Sequence, residues 1–301
     1  WYWLSACYRE WGKYEQALSA EQNALAIRQR LDDQPNIADA YYQLGRIYQA
    51  WGKYEQAIEY HQQSNQLYSH LDLQQQAANQ LSWLAACYRD LKEYSTATKY
   101  YQDSFDLHQS LDHSKSAARR LRQLSNTQRA SAKDSSPEDA IFILKKAEQN
   151  LQQAIQLDIR GDYKENLARD QISLALLAAE FLRQSSNDHD SIQEHINQFE
   201  QSYANGCAKF TELGQEITIA DETLEIVRVY LEIGPLENLD QAETLAKESL
   251  KTFQDFNRRK LEASANRLLG EIYMAHTHRQ QSGAIATSLQ YLNISLQYYC
   301  E

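Results

Sequence analysis

Between Lys115 and Lys133 the chain carries Lys115, Arg119, Arg120, Arg122, Arg129 and Lys133 and not one acid. Guanidinium groups are rigid planar forks that hold a carboxylate or a phosphate through two hydrogen bonds, and several in one concavity raise the local potential for an anion. The chemistry indicated is recognition of an acidic or phosphorylated group. The competing reading is a solvated helix face paired with acids elsewhere, and acids are plentiful: 41 Asp and Glu against 30 Lys and Arg give a formal charge of -11. That balance argues against general nucleic-acid binding, which draws most of its affinity from neutralising phosphates. The acids are themselves uneven, since Glu212 to Glu243 holds nine of them against Arg228.

Catalysis and metal binding have little to build on. His189 and His195 are six residues apart and so face different sides of a helix, and His276-Thr277-His278 lacks a neighbouring Cys or acid; neither spacing makes a ligand pair. There is no Gly-rich phosphate loop, no Gly-x-Ser-x-Gly and no Cys/His pairing that periodicity singles out. The expectation is a protein that is not an enzyme and takes no cofactor or metal. No stretch approaches the ~18 uncharged apolar residues of a membrane span, and no basic start leads into an apolar signal core. Of four cysteines, Cys7 and Cys87 fall at one place in what will prove to be a repeat, on the expected buried face of a helix. A small apolar role there favours a reducing compartment and a cytoplasmic location.

The elements that must position these groups are legible from repetition. Trp-Gly-Lys-Tyr-Glu-Gln-Ala occurs unchanged at Trp11 to Ala17 and at Trp51 to Ala57, with a degraded copy from Leu91 to Ala97. Only 9 Gly and 3 Pro interrupt a chain rich in helix-forming Ala, Leu, Gln and Glu. In the second repeat Tyr41, Leu44, Gly45 and Tyr48 share one face of a helix from about Ile37 to Trp51; Gly52 and Lys53 turn the chain; a second helix runs from about Tyr54 to Leu71 with Ala57, Ser64, Leu67 and Leu71 inward. The other regular repeats keep Leu4, Tyr8, Tyr14, Ala17, Ala24 and Leu31, then Leu84, Tyr88, Tyr94, Ala97, Ser104 and Leu111, and each closes on Leu-Asp. A unit of this length cannot bury its own apolar face and must stack on its neighbours.

Tyr41, Leu44, Gly45, Tyr48 and Ala57 resemble the tetratricopeptide repeat, whose helix pairs carry Leu, Gly, Tyr and Ala at these places. The resemblance spans Trp1 to about Asp112. The forty-residue spacing is similar to the long-helix subclass seen in kinesin light chain and related adaptors. Glu21 and His61 depart from the Phe or Tyr the family often has on the second helix, and Tyr101 fits.

The resemblance implies an all-α protein, a right-handed α-solenoid of about seven antiparallel helix pairs. Residues 1–134 form the regular repeats. Residues 135–301 form divergent pairs with longer turns in the same continuous solenoid, opening at Ser135-Ser136-Pro137-Glu138-Asp139, an N-cap with Pro in the first turn and an acid three residues on. Three further pairs are expected, at about Tyr163 to Gln184 with Ser191 to Leu213, Ile217 to Ile233 with Asp240 to Asn257, and Leu261 to His276 with Ala284 to Tyr299. Because both ends fall inside expected helices and a solenoid end needs a polar cap, either a piece of a longer protein or ends covered by a partner are expected.

In a tetratricopeptide stack the first helix of each pair lines a concave wall, and its outward face enters the groove. The resemblance therefore places Tyr2, Ala6 and Arg9 there, then Asp39, Tyr42, Arg46 and Gln49, then Asn79, Ser82, Ala86 and Arg89, and finally Arg119, Arg122, Asn126 and Arg129. The Lys and Asn clamp with which the family grips a terminal carboxylate is absent, because Tyr2, Tyr42 and Ser82, with Ala6, Arg46 and Ala86, hold its positions.

The function expected is a non-enzymatic protein-interaction scaffold binding a peptide or helical segment, acidic or phosphorylated, through Tyr42, Arg46, Gln49, Arg89, Arg119, Arg122, Asn126 and Arg129. It takes no nucleic acid and no membrane. The alternative is the sensor or regulatory arm of a larger signalling protein, with a nucleotide-switch or protease domain outside this chain. Self-association, basic fourth unit to acidic later stretch, is a further expectation, as is contact with flanking domains.

Overall fold

The structure, a computed structural model, describes residues 2–184, 189–278 and 284–300. Its regular elements are helices throughout the described residues: α1 (Tyr2–Glu10), α2 (Tyr14–Arg30), α3 (Gln34–Ala50), α4 (Tyr54–His70), α5 (Gln74–Asp90), α6 (Tyr94–Ser110), α7 (Ser114–Ala132) and α8 (Pro137–Arg160), then α9 (Lys164–Gln184), α10 (His189–Glu212), α11 (Glu216–Glu232), α12 (Leu239–Asp255), α13 (Arg259–His278) and α14 (Ala284–Cys300). They form seven helix pairs. Trp1–Asp162 and Tyr163–Glu301 are two compact units.

In the first unit α1 to α8 pack each on the next in chain order. The six connections from α1 to α7 are three residues long, and the middle residue takes a left-handed backbone: Gly12, Asp32, Gly52, Asp72, Lys92 and Asp112 all have positive φ; the connection from α7 to α8 is four residues long. The recurrent Leu-Asp thus has a cause, because Asp tolerates this region better than most residues and Gly tolerates it best. The recurrent Trp-Gly-Lys-Tyr has another. Trp51 stacks on Tyr14 of the preceding repeat at 5.7 Å and on Tyr48 of its own at 6.4 Å, and Lys53 Nζ stands 3.4 Å from its ring centre.

Within each pair, small residues let the helices close. Ala57, Ala85 and Ala97 are fully buried, and hydroxyls tie second helix to first, Ser64 Oγ donating to the Ala38 carbonyl at 2.9 Å and Ser104 Oγ to that of Ala78 at 2.6 Å. The inward stripe of α4 runs through Ala57, His61, Ser64 and Tyr68, whereas Leu67 and Leu71 are half-buried and Leu31 of the first repeat is 71% exposed. Four-three-four spacing through residues 57, 61, 64 and 68 follows the helical period, and the leucines sit beside that stripe. Cys87 is buried against Ala57, Ile58 and Leu84, but Cys7 is exposed, contrary to expectation. Among the described residues no helix packs on α1 as α4 packs on α5.

The second unit has its own core, around Ile172, Leu176, Phe199, Phe210 and Ile226, and around Phe253, Leu268, Leu269 and Ile272. Ser136 caps α8 as expected, accepting from the Asp139 amide at 3.3 Å and donating to its carboxylate at 2.7 Å. Asn238 caps α12 at 3.0 Å after a one-turn 3-10 helix at Gly234–Leu236. The expected connections at 185–190 and 277–283 lie partly outside the described residues. No described helix is long and apolar enough to cross a membrane.

Candidate functional site

The forty-residue offset puts the first helices α3, α5 and α7 in step. Asp39, Asn79 and Arg119 occupy equivalent positions, as do Tyr42, Ser82 and Arg122, and Gln43, Trp83 and Gln123. All of these but Gln43 and Arg122, with Tyr68 of α4 and Arg120 of α7, line a cavity of about 410 Å³. Of the groove residues expected from sequence, Asp39, Tyr42, Asn79, Ser82, Ala86 and Arg119 line this one cavity.

The floor is aromatic and half-buried. Trp83 stacks on the buried His61 ring at 6.1 Å with 10° between planes, and Tyr42 lies 6.0 Å from Trp83. Arg46 sits over both, its guanidinium carbon 5.1 Å from the Trp83 ring centre and 5.8 Å from that of Tyr42. His61 Nδ1 meets Gln80 Oε1 at 3.0 Å. Burial, reinforced by Arg46 and opposed by the Gln80 contact, lowers its pKa to about 4, so the ring is neutral at ordinary pH.

The basic end belongs to α7. Arg119 is exposed, and Arg120 is 7% exposed, donating from Nη1 to Gln123 Oε1 at 2.6 Å and from Nη2 to Asn79 Oδ1 at 3.4 Å. The buried Arg120 Nε has no hydrogen-bond partner. Burial and then the neighbouring Arg119 push its pKa down to about 10, with Tyr101 opposing and Arg122 adding to the fall. Neither Arg119 nor Arg120 forms an ion pair with a carboxylate among the described residues. Other arginines are paired, Arg28 with Glu21 at 2.9 Å in the first unit, and in the second Arg169 with Glu222 at 2.7 Å and Arg183 with Glu232 at 2.9 Å, both from α9 to α11.

The other expected residues lie elsewhere on these helices. Gln49 is half-buried near the end of α3, and Arg89 pairs with Asp90 at 2.8 Å. Arg122 is 7% exposed, Asn126 and Arg129 are half-buried, and all three are engaged within the chain. Arg9, at the end of α1, donates to Gln43 at 3.3 Å, and the side chain of Tyr2 lies outside the described residues. Sequence reasoning put Arg120 in the basic segment but not in the groove, and it missed Trp83, Gln123 and Tyr68. Arg120, Trp83 and Gln123 sit one position along from the expected column, at the same forty-residue offset as Gln80 and Gln43, so that offset was the available signal.

Tyr68 is hydrogen-bonded to Asp39, its hydroxyl donating to the carboxylate; burial first, and then this bond, raise its pKa and keep it protonated. Among the described residues no group of three or more His, Cys, Asp or Glu is placed to hold a metal ion.

Residues 1–69 match the family model of the tetratricopeptide repeat. This segment is tetratricopeptide repeat. The fold extends the likeness beyond it. The apo form of RapI aligns with 98% of this chain and 95% of its own, at 13% identity and a TM-score of 0.63. The Rap conjugation gene regulator of the plasmid pLS20, in complex with the Phr* peptide, aligns over 98% and 72% at 13% identity and 0.54. Kinesin light chain repeats of Podosopora anserina, nearly identical TPR-like repeats, align over 67% and 92% at 17% identity and 0.51. At such identities the likeness is one of fold. No curated protein matches the sequence. The helix pair expected from the spacing is present in residues 1–69 as tetratricopeptide repeat, and over the rest of the chain the likeness to these structures is one of fold.

Proposed function

We propose that the protein is a non-catalytic interaction scaffold whose α3–α5–α7 face holds a peptide or helical segment, with acidic or phosphorylated side chains of that segment directed to Arg119 and Arg120. The observation that carries this reading is the pair of arginines at one end of a shared cavity with no carboxylate beside them. A guanidinium without a counter-charge next to a second one is an unfavourable arrangement in the free protein, and an anionic ligand relieves it. Support comes from the tetratricopeptide match, from a fold neighbour whose structure holds a peptide, and from an aromatic floor of the kind that anchors side chains. Tyr42 belongs to that floor and Arg46 lies over its rings; Gln49, Arg89, Asn126 and Arg129 continue along these helices, and Arg122 is too buried to meet a ligand. A regulatory role fits a scaffold of this build.

The test is affinity capture with three versions of the chain: wild type, Tyr42→Ala with Arg119→Glu, and Lys99→Glu in α6. Partners recovered by wild type and by Lys99→Glu but lost from the double variant support the reading. Equal recovery by all three contradicts it.

A further inference from the structure

The α3–α5–α7 cavity holds charges of both signs that do not meet. Asp39 is exposed at one side, its carboxylate anchored by the Tyr68 hydroxyl and in no ion pair among the described residues. Arg119 and Arg120 lie two repeats further on the same face, Arg120 anchored by Gln123 and Asn79 with its buried Nε unpartnered. Neutral anchors fix a charged group in space without discharging it. The cavity therefore presents opposite potentials at its two sides, screened less than on an open surface. A purely acidic ligand satisfies the arginines and leaves Asp39 facing a like charge. A purely basic one does the reverse.

We propose that this cavity reads a pair of opposite charges: a linear peptide segment that directs a basic side chain to Asp39 and a nearby acidic side chain to Arg119 and Arg120. The inference rests on the scaffold reading above and narrows its ligand from an acidic segment to one of mixed charge. Asn79 holds the column between Asp39 and Arg119, and Tyr42 and Trp83, about one turn along α3 and α5, line the same cavity and offer rings for the stems of the ligand side chains.

The probes are fluorescein-labelled synthetic peptides on a Gly-Ser background: one with two Glu, one with two Lys, and three with one Lys and one Glu separated by two, three or four positions. Fluorescence anisotropy is read at low salt with the full chain, with Asp39→Asn, which keeps an acceptor for Tyr68, and with Arg119→Gln. The best mixed peptide should bind wild type about twofold to fivefold more tightly than the two-Glu peptide, the range for exposed ion pairs. Asp39→Asn should abolish that preference and, by removing the like charge, strengthen two-Glu binding slightly, and Arg119→Gln should weaken both. A two-Glu peptide that binds as well as any mixed one, or a preference that survives Asp39→Asn, overturns the inference and leaves the scaffold reading standing. A free Lys-Glu dipeptide that displaces the bound peptide at equal concentration overturns the linear segment in favour of a small zwitterion. Binding of none of the peptides overturns the inference and the acidic-ligand reading together.

Discussion

A Cβ built on Gly45 would stand 2.7 Å from Cε1 of His61 and 2.8 Å from both ring nitrogens. The ring has little room to retreat, since Trp83 stacks on it and Gln80 holds Nδ1. Gly45→Ala should therefore cost about 1–3 kcal/mol through overpacking, read as a lower urea midpoint at unchanged slope. The neighbouring repeats solve the same crossing differently: Ala85 packs by Tyr101, and Ser5 by Glu21. Glu21 and His61, the departures from the family pattern, are thus fully buried at the place Tyr101 fills in the third repeat. Acid should expose the choice of histidine. The unfolded imidazole titrates near 6.5 and folded His61 near 4, so between those values the unfolded chain binds more protons, and stability falls as pH drops through that window and levels off below it. His108, lowered to about 4 first by burial and then by Arg120, acts in the same direction. Urea midpoints at about pH 7.5 and 5 check this; His61→Gln should shallow the pH slope, and an unchanged slope contradicts the assignment.

The helices and turns follow a period that the sequence carries openly. Gly12 and Gly52 mark turn centres, and their left-handed φ with open space around the missing Cβ shows that conformation, not packing, selects glycine there. Lys92 takes the same conformation in the third repeat without that freedom. Lys92→Gly should stabilise by up to about 1 kcal/mol, relief of left-handed strain outweighing the added entropy of the unfolded chain, and a rise in melting temperature is the readout. Helix limits could be read to within a few residues because each repeat restates them. The cavity was only half legible. Counting along one column of each first helix finds Asp39, Tyr42 and Arg119, but the floor comes from the next column, where Trp83 and Arg120 stand at positions held by Gln43 and Gln80 one repeat earlier. Which column turns inward depends on the rotation of each helix in its packing, and three- and four-residue spacing alone leaves that open. Cys7 shows the same limit, because burial at a repeat position requires a neighbour on both sides.

At the scale of the molecule, each compact unit carries its own core. A fragment of residues 1–162 should fold alone, with helical circular dichroism and one cooperative melt, because repeat units draw their stability from nearest neighbours. A fragment without a cooperative transition would contradict that. The net charge of -11 hides local differences that matter more than the total. Acids from the Glu212 to Glu243 stretch pair inside the second unit, Glu222 with Arg169, Glu225 with Arg228 and Glu243 with Lys247, whereas the arginines of the first-unit cavity lack that compensation. The function proposed rests on this contrast: binding is placed where charge is left unmatched.

The most direct measurement is photocrosslinking with benzoylphenylalanine placed singly at Gln123, inside the cavity, and at Gln102 on α6. The account predicts that Gln123 captures the partner and Gln102 does not. Capture from Gln102 with none from Gln123 would contradict it.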